Sequence, residues 1–267
     1  MATAVTGPTC GGQRPAKAGG GRYTCTFTDD FTGSTLDATK WVAQDTSRTG
    51  VFTSTQGCYV TGPDNISVSG GQAHLTSRVE DQPFTCQLPG GGGFSTTTSV
   101  ATITTRGLFA QAYGRFEFRA RFPNTSVAGF HSALWMYPQQ LTYGPWPNSG
   151  EIDVAERLTA KASAVYASLH YAGSDTGDSG VCQRPTAGTA FHRYAVEWTP
   201  SQMRFIYDGV TCFTEAWAPD APLVAPQPFD QPFDLIVSQA FGAGTNARTP
   251  ATPTSGTTDV DWVRAWS

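Results

Sequence analysis

Short runs in which apolar and polar residues alternate recur along the chain: 66–68, 73–76, 100–105, 115–122, 165–170, 194–198, 203–207 and 233–237. A period of two sends every second side chain to the same face, which is the pattern of a half-buried strand. Each run is short and bounded by turn residues, and no sustained helical stripe interrupts them. The pattern predicts an all-β sandwich of two packed antiparallel sheets. Gly90-Gly91-Gly92-Gly93 reads as a flexible loop, and the proline-bearing stretch 139–150 as a loop able to border a cleft. Residues 1–21 lack periodicity and are expected to form an irregular N-terminal arm. The remainder, 22–267, is expected to be one domain, since β-sandwiches of this size often form a single unit.

One segment departs from simple alternation. Ser149-Gly150-Glu151-Ile152-Asp153-Val154-Ala155-Glu156-Arg157 places three carboxylates in six residues of an otherwise strand-like run. In a regular strand Glu151 and Asp153 share a face, while Ile152 and Val154 take the other. Glu156 has the wrong parity. One extra residue, a bulge near Val154 or Ala155, would turn Glu156 onto the face of the other two, and such bulges recur beside active sites. Three aligned acids suit glycoside hydrolysis, in which one carboxylate is ionised and another carries a proton to the departing oxygen. With Asp153 between the glutamates, like-charge repulsion favours keeping a proton on at least one of the set. A carboxyl separation of about 5–5.5 Å would imply a retaining, double-displacement reaction. On these residues alone, a charged strand edge that blocks aggregation accounts for the pattern equally well.

The flanks separate the two readings. Phe27-Thr28-Asp29-Asp30-Phe31 with Gly33 and Trp41, then Asp64 to Val68 with His74-Leu75-Thr76, precede Tyr113 to Pro123 and Ala133-Leu134-Trp135-Met136-Tyr137-Pro138. Trp146-Pro147-Asn148-Ser149-Gly150 leads into the acids. Leu169-His170-Tyr171, Phe191 to Pro200, Tyr207-Asp208-Gly209 and Asp259 to Arg264 follow. This ordered set resembles glycoside hydrolase family 16, in the branch with a bulged Glu-x-Asp-x-x-Glu signature that includes laminarinases, the endo-β-1,3-glucanases.

The resemblance implies a jelly-roll sandwich of two curved sheets with a concave cleft for a linear polysaccharide. It implies Glu151 as nucleophile, Glu156 as general acid/base and Asp153 as the residue that holds and tunes the nucleophile. Trp135 and Trp146 match aromatics that stack on sugar faces, although Trp135 also sits in an apolar run that suits a core. His170 is expected near the acids, bonded to Glu156 or to a sugar. Asn65 matches a cleft asparagine. Asp30 and Asp261 match positions that hold a structural calcium, an ion that takes hard oxygen ligands; catalysis itself is expected to need no cofactor.

Departures from the family pattern bear on the substrate. His131 stands where laminarinases commonly carry a tryptophan. Val100-Ala101-Thr102-Ile103 replaces a segment that carries an arginine, a contact Arg106 could supply instead, and Ser238 to Ala243 also differs. The implied function is a secreted retaining endo-glycosidase acting on β-1,3-glucan. Another β-linked polymer, such as a galactan or mixed-linkage glucan, is the alternative within the enzyme class, and a non-catalytic glucan-binding protein the alternative outside it.

Composition narrows the partners. Hydrophobic residues at 39% with seven tryptophans supply a sizeable core. Charged residues make up only 14%, and a net charge of -4 gives no basic footprint for nucleic acid. A neutral polysaccharide fits that surface better. Nothing suggests an exposed apolar seam, so a monomer is expected. No run approaches the roughly 18 apolar residues that span a bilayer, so no membrane partner is expected. Six cysteines form no close cluster for zinc, and disulfides are the better reading. Sequential pairing, Cys10 with Cys25, Cys58 with Cys86 and Cys182 with Cys212, would close modest loops and place the protein in an oxidising, extracellular setting. Met1 to Thr6 lacks the positive start and apolar core of a signal peptide, as in a mature chain with an added methionine.

Overall fold

The computed structural model describes residues 7–267. Met1 to Thr6, with the first part of the expected arm, lie outside the described residues. Sixteen strands follow in chain order: β1 (Cys25–Asp29), β2 (Val42–Ala43), β3 (Cys58–Tyr59), β4 (Ile66–Ser69), β5 (Gln72–Gln87), β6 (Gly93–Thr104), β7 (Gly114–Arg121) and β8 (Phe130–Pro138). They continue with β9 (Glu151–Leu158), β10 (Ala164–His170), β11 (Ser179–Gln183), β12 (His192–Thr199), β13 (Gln202–Tyr207), β14 (Val210–Glu215), β15 (Phe233–Phe241) and β16 (Ser255–Trp266). The alternating runs of the sequence fall in these strands, apart from Thr105 and Phe122, each one residue past a strand end. A single turn of α-helix, Thr46–Thr49, is started by the Asp45 side chain, which accepts from the Ser47 amide.

Hydrogen bonding runs continuously in the order β11-β10-β9-β8-β15-β6-β5-β16-β7-β12-β13-β14. Strand β6 is the corner, because its C-terminal half pairs with β15 and its N-terminal half with β5. The chain is thereby folded into two layers, one carrying the acids and one backing it. All the ladders are antiparallel except that of β3 with β6. The two ends of the path, β11 and β14, are joined by the disulfide Cys182–Cys212. The other two bonds are Cys10–Cys25 and Cys58–Cys86, so the sequential pairing is the one found.

Between the layers lies one continuous core. From the front sheet come Leu134, Met136, Ile152, Val154, Val165, Leu169, Leu235 and Val237; from the back come Phe116, Phe118, Tyr194, Val196, Phe205, Tyr207 and Val263. Their removal from water, worth about 1.5–3 kcal/mol per large side chain, is the main force holding the layers together. The front sheet's opposite face, free of this packing, is where the polar side chains of β9 emerge.

Candidate active site

Strand β9 carries the irregularity that the sequence required. On β8, the consecutive residues Leu134 and Trp135 stand opposite Ala155 and Asp153; on β10, Tyr166 and Ser168 stand opposite Glu156 and Asp153. Val154 is therefore the extra residue. Val154 and Ala155 are both fully buried in the core, and the parity of the strand changes after them. Glu151, Asp153 and Glu156 consequently face the same cavity of about 260 Å³, together with His131, Ala133, Trp135, Tyr59 and Ser238.

A bulge leaves backbone groups without a ladder partner, and a buried orphan carbonyl is costly. Here the partner comes from the other layer. The hydroxyl of Tyr207, on β13 of the back sheet and fully buried, donates to the Val154 carbonyl at 2.7 Å. Tyr207→Phe should thus lower stability by about 1–3 kcal/mol by stranding that carbonyl, a loss that denaturant unfolding would measure. No local signal in the sequence links Tyr207 to the acids.

At the N-terminal end of β9 the entry loop is equally constrained. Gly150 has φ 85°, and a Cβ there would approach Phe229 to 2.8 Å, so glycine meets both a conformational and a steric demand. The Ser149 hydroxyl accepts from the Tyr143 amide at 3.0 Å and donates to the Gly144 carbonyl at 2.7 Å. This loop presents Trp146 with 56% of its surface exposed and its ring centroid 6.0 Å from that of His170.

The acids differ in their surroundings. Burial, then the neighbouring charge of Asp153, raises Glu151 to about 8, and the charge of His170 only partly offsets this. Asp153, almost fully buried, is pushed well above the usual carboxylate range by burial and by the charge of Glu156. Burial acts on Glu156 in the same direction but is outweighed. The hydrogen bond and charge of His131, with the charge of His170, hold Glu156 below its ordinary value. His131 Nε2 lies 2.6 Å from Glu156 Oε1.

Several expected site residues keep their place in this groove. Trp135 is part of its wall rather than of the core: its indole donates to the Ser238 hydroxyl at 2.9 Å while Leu134 and Met136 on either side are buried. Trp135 and Tyr59 also line an adjoining cavity of about 380 Å³ with Tyr137, Thr102 and Arg106. Arg106 donates to the Pro138 carbonyl at 2.9 Å, pairs with Asp234 at 3.3 Å and lies over the Tyr137 ring. The sequence reading missed Tyr59 and Tyr137. Tyr137 was legible as the next residue of Trp135's parity; Tyr59 reaches the groove only through the short parallel strand β3.

Three expectations need correction. His170 does not bond Glu156: its Nε2 lies at ion-pair distance, 2.9 Å, from Asp153 Oδ2, because register sets His170 opposite Glu151 on β10. Asn65 does not line the cavity of the acids: it is buried, and its amide is spent donating to the Thr76 carbonyl and the Ser99 hydroxyl, both at 2.9 Å. Asp30 and Asp261 do not fit a calcium ion. Asp30 accepts from Arg264 at 2.7 Å and Asp261 is paired with Arg119, so each carboxylate already faces a positive charge.

The comparisons with known proteins agree with this arrangement. The family model described as glycosyl hydrolases family 16 matches residues 55–264, which include β3 to β15 and all but the last two residues of β16. The chain is 36% identical over 180 residues to a beta-glucanase of Rhodothermus marinus, covering 62% of this chain and 61% of that protein. It is 30% identical over 257 residues to glucan endo-1,3-beta-glucosidase A1 of Niallia circulans, covering 89% of this chain and 37% of that one. In both cases the match spans less than two thirds of the relative's own length. The solved structure of the laminarinase from Rhodothermus marinus superposes with a TM-score of 0.74 at 31% identity, covering 91% of this chain and 97% of that one. With the bulged acidic strand, the jelly-roll sandwich and a family match over most of its length, the chain belongs to glycosyl hydrolases family 16.

Proposed function

We propose that this protein is a retaining endo-glycosidase that hydrolyses β-1,3-glucan. The observation that carries the reading is the bulge at Val154, which brings Glu151, Asp153 and Glu156 to one cavity wall. In the first step the Glu151 carboxylate attacks the anomeric carbon as Glu156 gives its proton to the departing oxygen. In the second, Glu156 takes a proton from water as the water oxygen replaces Glu151 at the same carbon. The resting proton favours Glu151, raised to about 8, over Glu156, held low by His131, so the reacting form is the one in which this proton has moved from Glu151 to Glu156 while Asp153 keeps its own. Nucleophile and proton both come from side chains, so no catalytic cofactor is required.

Trp135, Tyr137 and Arg106 extend the wall beyond the acids on one side, and Trp146 stands exposed near Glu151 and His170. Flat rings along an open groove suit the faces of a linear chain of sugars, and a groove suits internal cleavage. The relatives named for β-glucan and β-1,3-glucan support the substrate class. Three disulfides suit an oxidising compartment, and secretion follows from that reading. Among the described residues no helix is long and apolar enough to cross a membrane.

Reducing-end release from laminarin, mixed-linkage β-glucan and β-galactan, with Glu151→Gln as control, tests the proposal. Cleavage of laminarin that the variant lacks is the expected result. Cleavage of galactan alone would overturn the substrate, and saturable glucan binding with no new reducing ends would overturn the enzyme.

A further inference from the structure

The contact between His131 and Glu156 has no counterpart in the two-carboxylate reaction as written above. His131 sits on β8 and meets Glu156 across the β8–β9 ladder, two positions from direct opposition, since His131 stands opposite Leu158 and Ala133 opposite Glu156. Its side chain is 37% exposed to the cleft and its Nε2 is 2.6 Å from Oε1. The other titratable groups facing this part of the groove are Asp153 and Glu151 on β9, His170 on β10 and Tyr59 on β3. Tyr166 stands across from Glu156 on β10, and β15 presents the non-titrating Ser238, Ala240 and Phe241 here. Among the described residues the imidazole is thus the one basic group within hydrogen-bond distance of this carboxylate.

Resting on the reading of Glu156 as acid/base, we propose that His131 is a positioning residue for that carboxylate: it fixes the orientation of Glu156 and balances its negative charge in the half of the reaction that activates water. One proton on the pair can sit on Oε1 or on Nε2. In the first step the Oε1 proton passes to the glycosidic oxygen, which takes the electron pair of the breaking bond to the anomeric carbon, while a carboxylate oxygen of Glu151 forms the new bond there. In the second step water forms its bond to that carbon, the bond to Glu151 breaks with its electron pair returning to the carboxylate, and the proton lost by water returns to the pair. No other reactant is consumed. The downward displacement of Glu156 by His131 agrees with a carboxylate kept ready for this second role.

A dinitrophenyl β-laminaribioside isolates the step. Its leaving group departs without acid help, so kcat/KM reports attack by Glu151 and kcat reports the water step. In His131→Phe, kcat should fall about 10-fold or more with KM falling in parallel, so that kcat/KM stays within about 3-fold. The pH at which kcat reaches half its maximum on the acid side should move upward. The chain has six glutamates, so carboxyl-carbon resonances can be assigned by single substitutions. The Glu156 resonance should titrate at higher pH in His131→Phe, and with a smaller displacement in His131→Gln, which keeps a hydrogen-bonding group. A rise in KM with kcat unchanged would make His131 a sugar contact and overturn the proposal, as would an unmoved Glu156 titration in both variants. If the wild type cleaves neither laminarin nor the aryl glycoside, the functional reading fails. The carboxyl titration then still decides whether His131 governs the proton of Glu156.

Discussion

Glu151→Gln is expected to cut the rate of laminarin hydrolysis by at least about 10⁴-fold, because the amide cannot form the covalent intermediate and no other carboxylate can reach the same carbon with the same geometry. The residual rate should not recover on aryl substrates, since a better leaving group does not replace a missing nucleophile. The same variant should be more stable than the wild type at slightly alkaline pH. Glu151 is held at about 8 in the folded protein, against an ordinary value of 4.5. From pH 4.5 upward the unfolded chain releases this proton while the folded chain keeps it, so folding loses stability until the pH passes about 8. Gln carries no such dependence. A gain of about 2–4 kcal/mol for the variant at pH 8, shrinking toward zero near pH 4.5, would appear as a rise in Tm of roughly 5 °C or more. Melting curves of the two proteins that stay parallel across this range would remove the buried, repelled carboxylate from the account.

Glu156→Gln should divide substrates by their leaving groups. Hydrolysis of laminarin, whose leaving sugar oxygen needs a proton, should fall about 10²–10⁴-fold in kcat/KM. A dinitrophenyl glycoside should lose less than about 10-fold in kcat/KM, because its phenolate leaves unaided. Its kcat should nonetheless fall, since water then attacks without a base. Azide, a nucleophile that needs no base, should restore the second step and yield a β-glycosyl azide, with the configuration of the substrate retained. An α-azide would overturn double displacement, and an equal loss on both substrates would overturn the role of Glu156.

Both expectations depend on three acids sharing a face, and this was largely legible in the chain. Ile152 and Val154 fix one face of the strand, Glu151 and Asp153 the other, and Glu156 belongs with the latter pair only if one residue is inserted. The structure inserts Val154. Trp146 was also legible, because a tryptophan between two prolines in a loop has little core to enter. Trp135 was ambiguous, since a strand at a cleft alternates buried and groove-facing side chains within what reads as one apolar run. Its neighbours Leu134 and Met136 took the core, and the indole found the Ser238 hydroxyl across the β8–β15 ladder.

Local patterning determined the strands and the turns between them, because the period of two and the turn residues are properties of neighbouring positions. It also determined the need for a bulge, because parity is counted along one strand. The partners of each acid were decided by tertiary structure. Register between strands, which a local pattern does not specify, gave His170 to Asp153 and His131 to Glu156. Packing of the two layers brought Tyr207 under the bulge from 53 residues away. The same packing gave Asp30 and Asp261 arginine partners where the family pattern led us to expect an ion. A sequence records which groups a chain carries and how they alternate; which charge each carboxylate meets depends on distances of a few ångströms that exist only once the sheets have closed on each other.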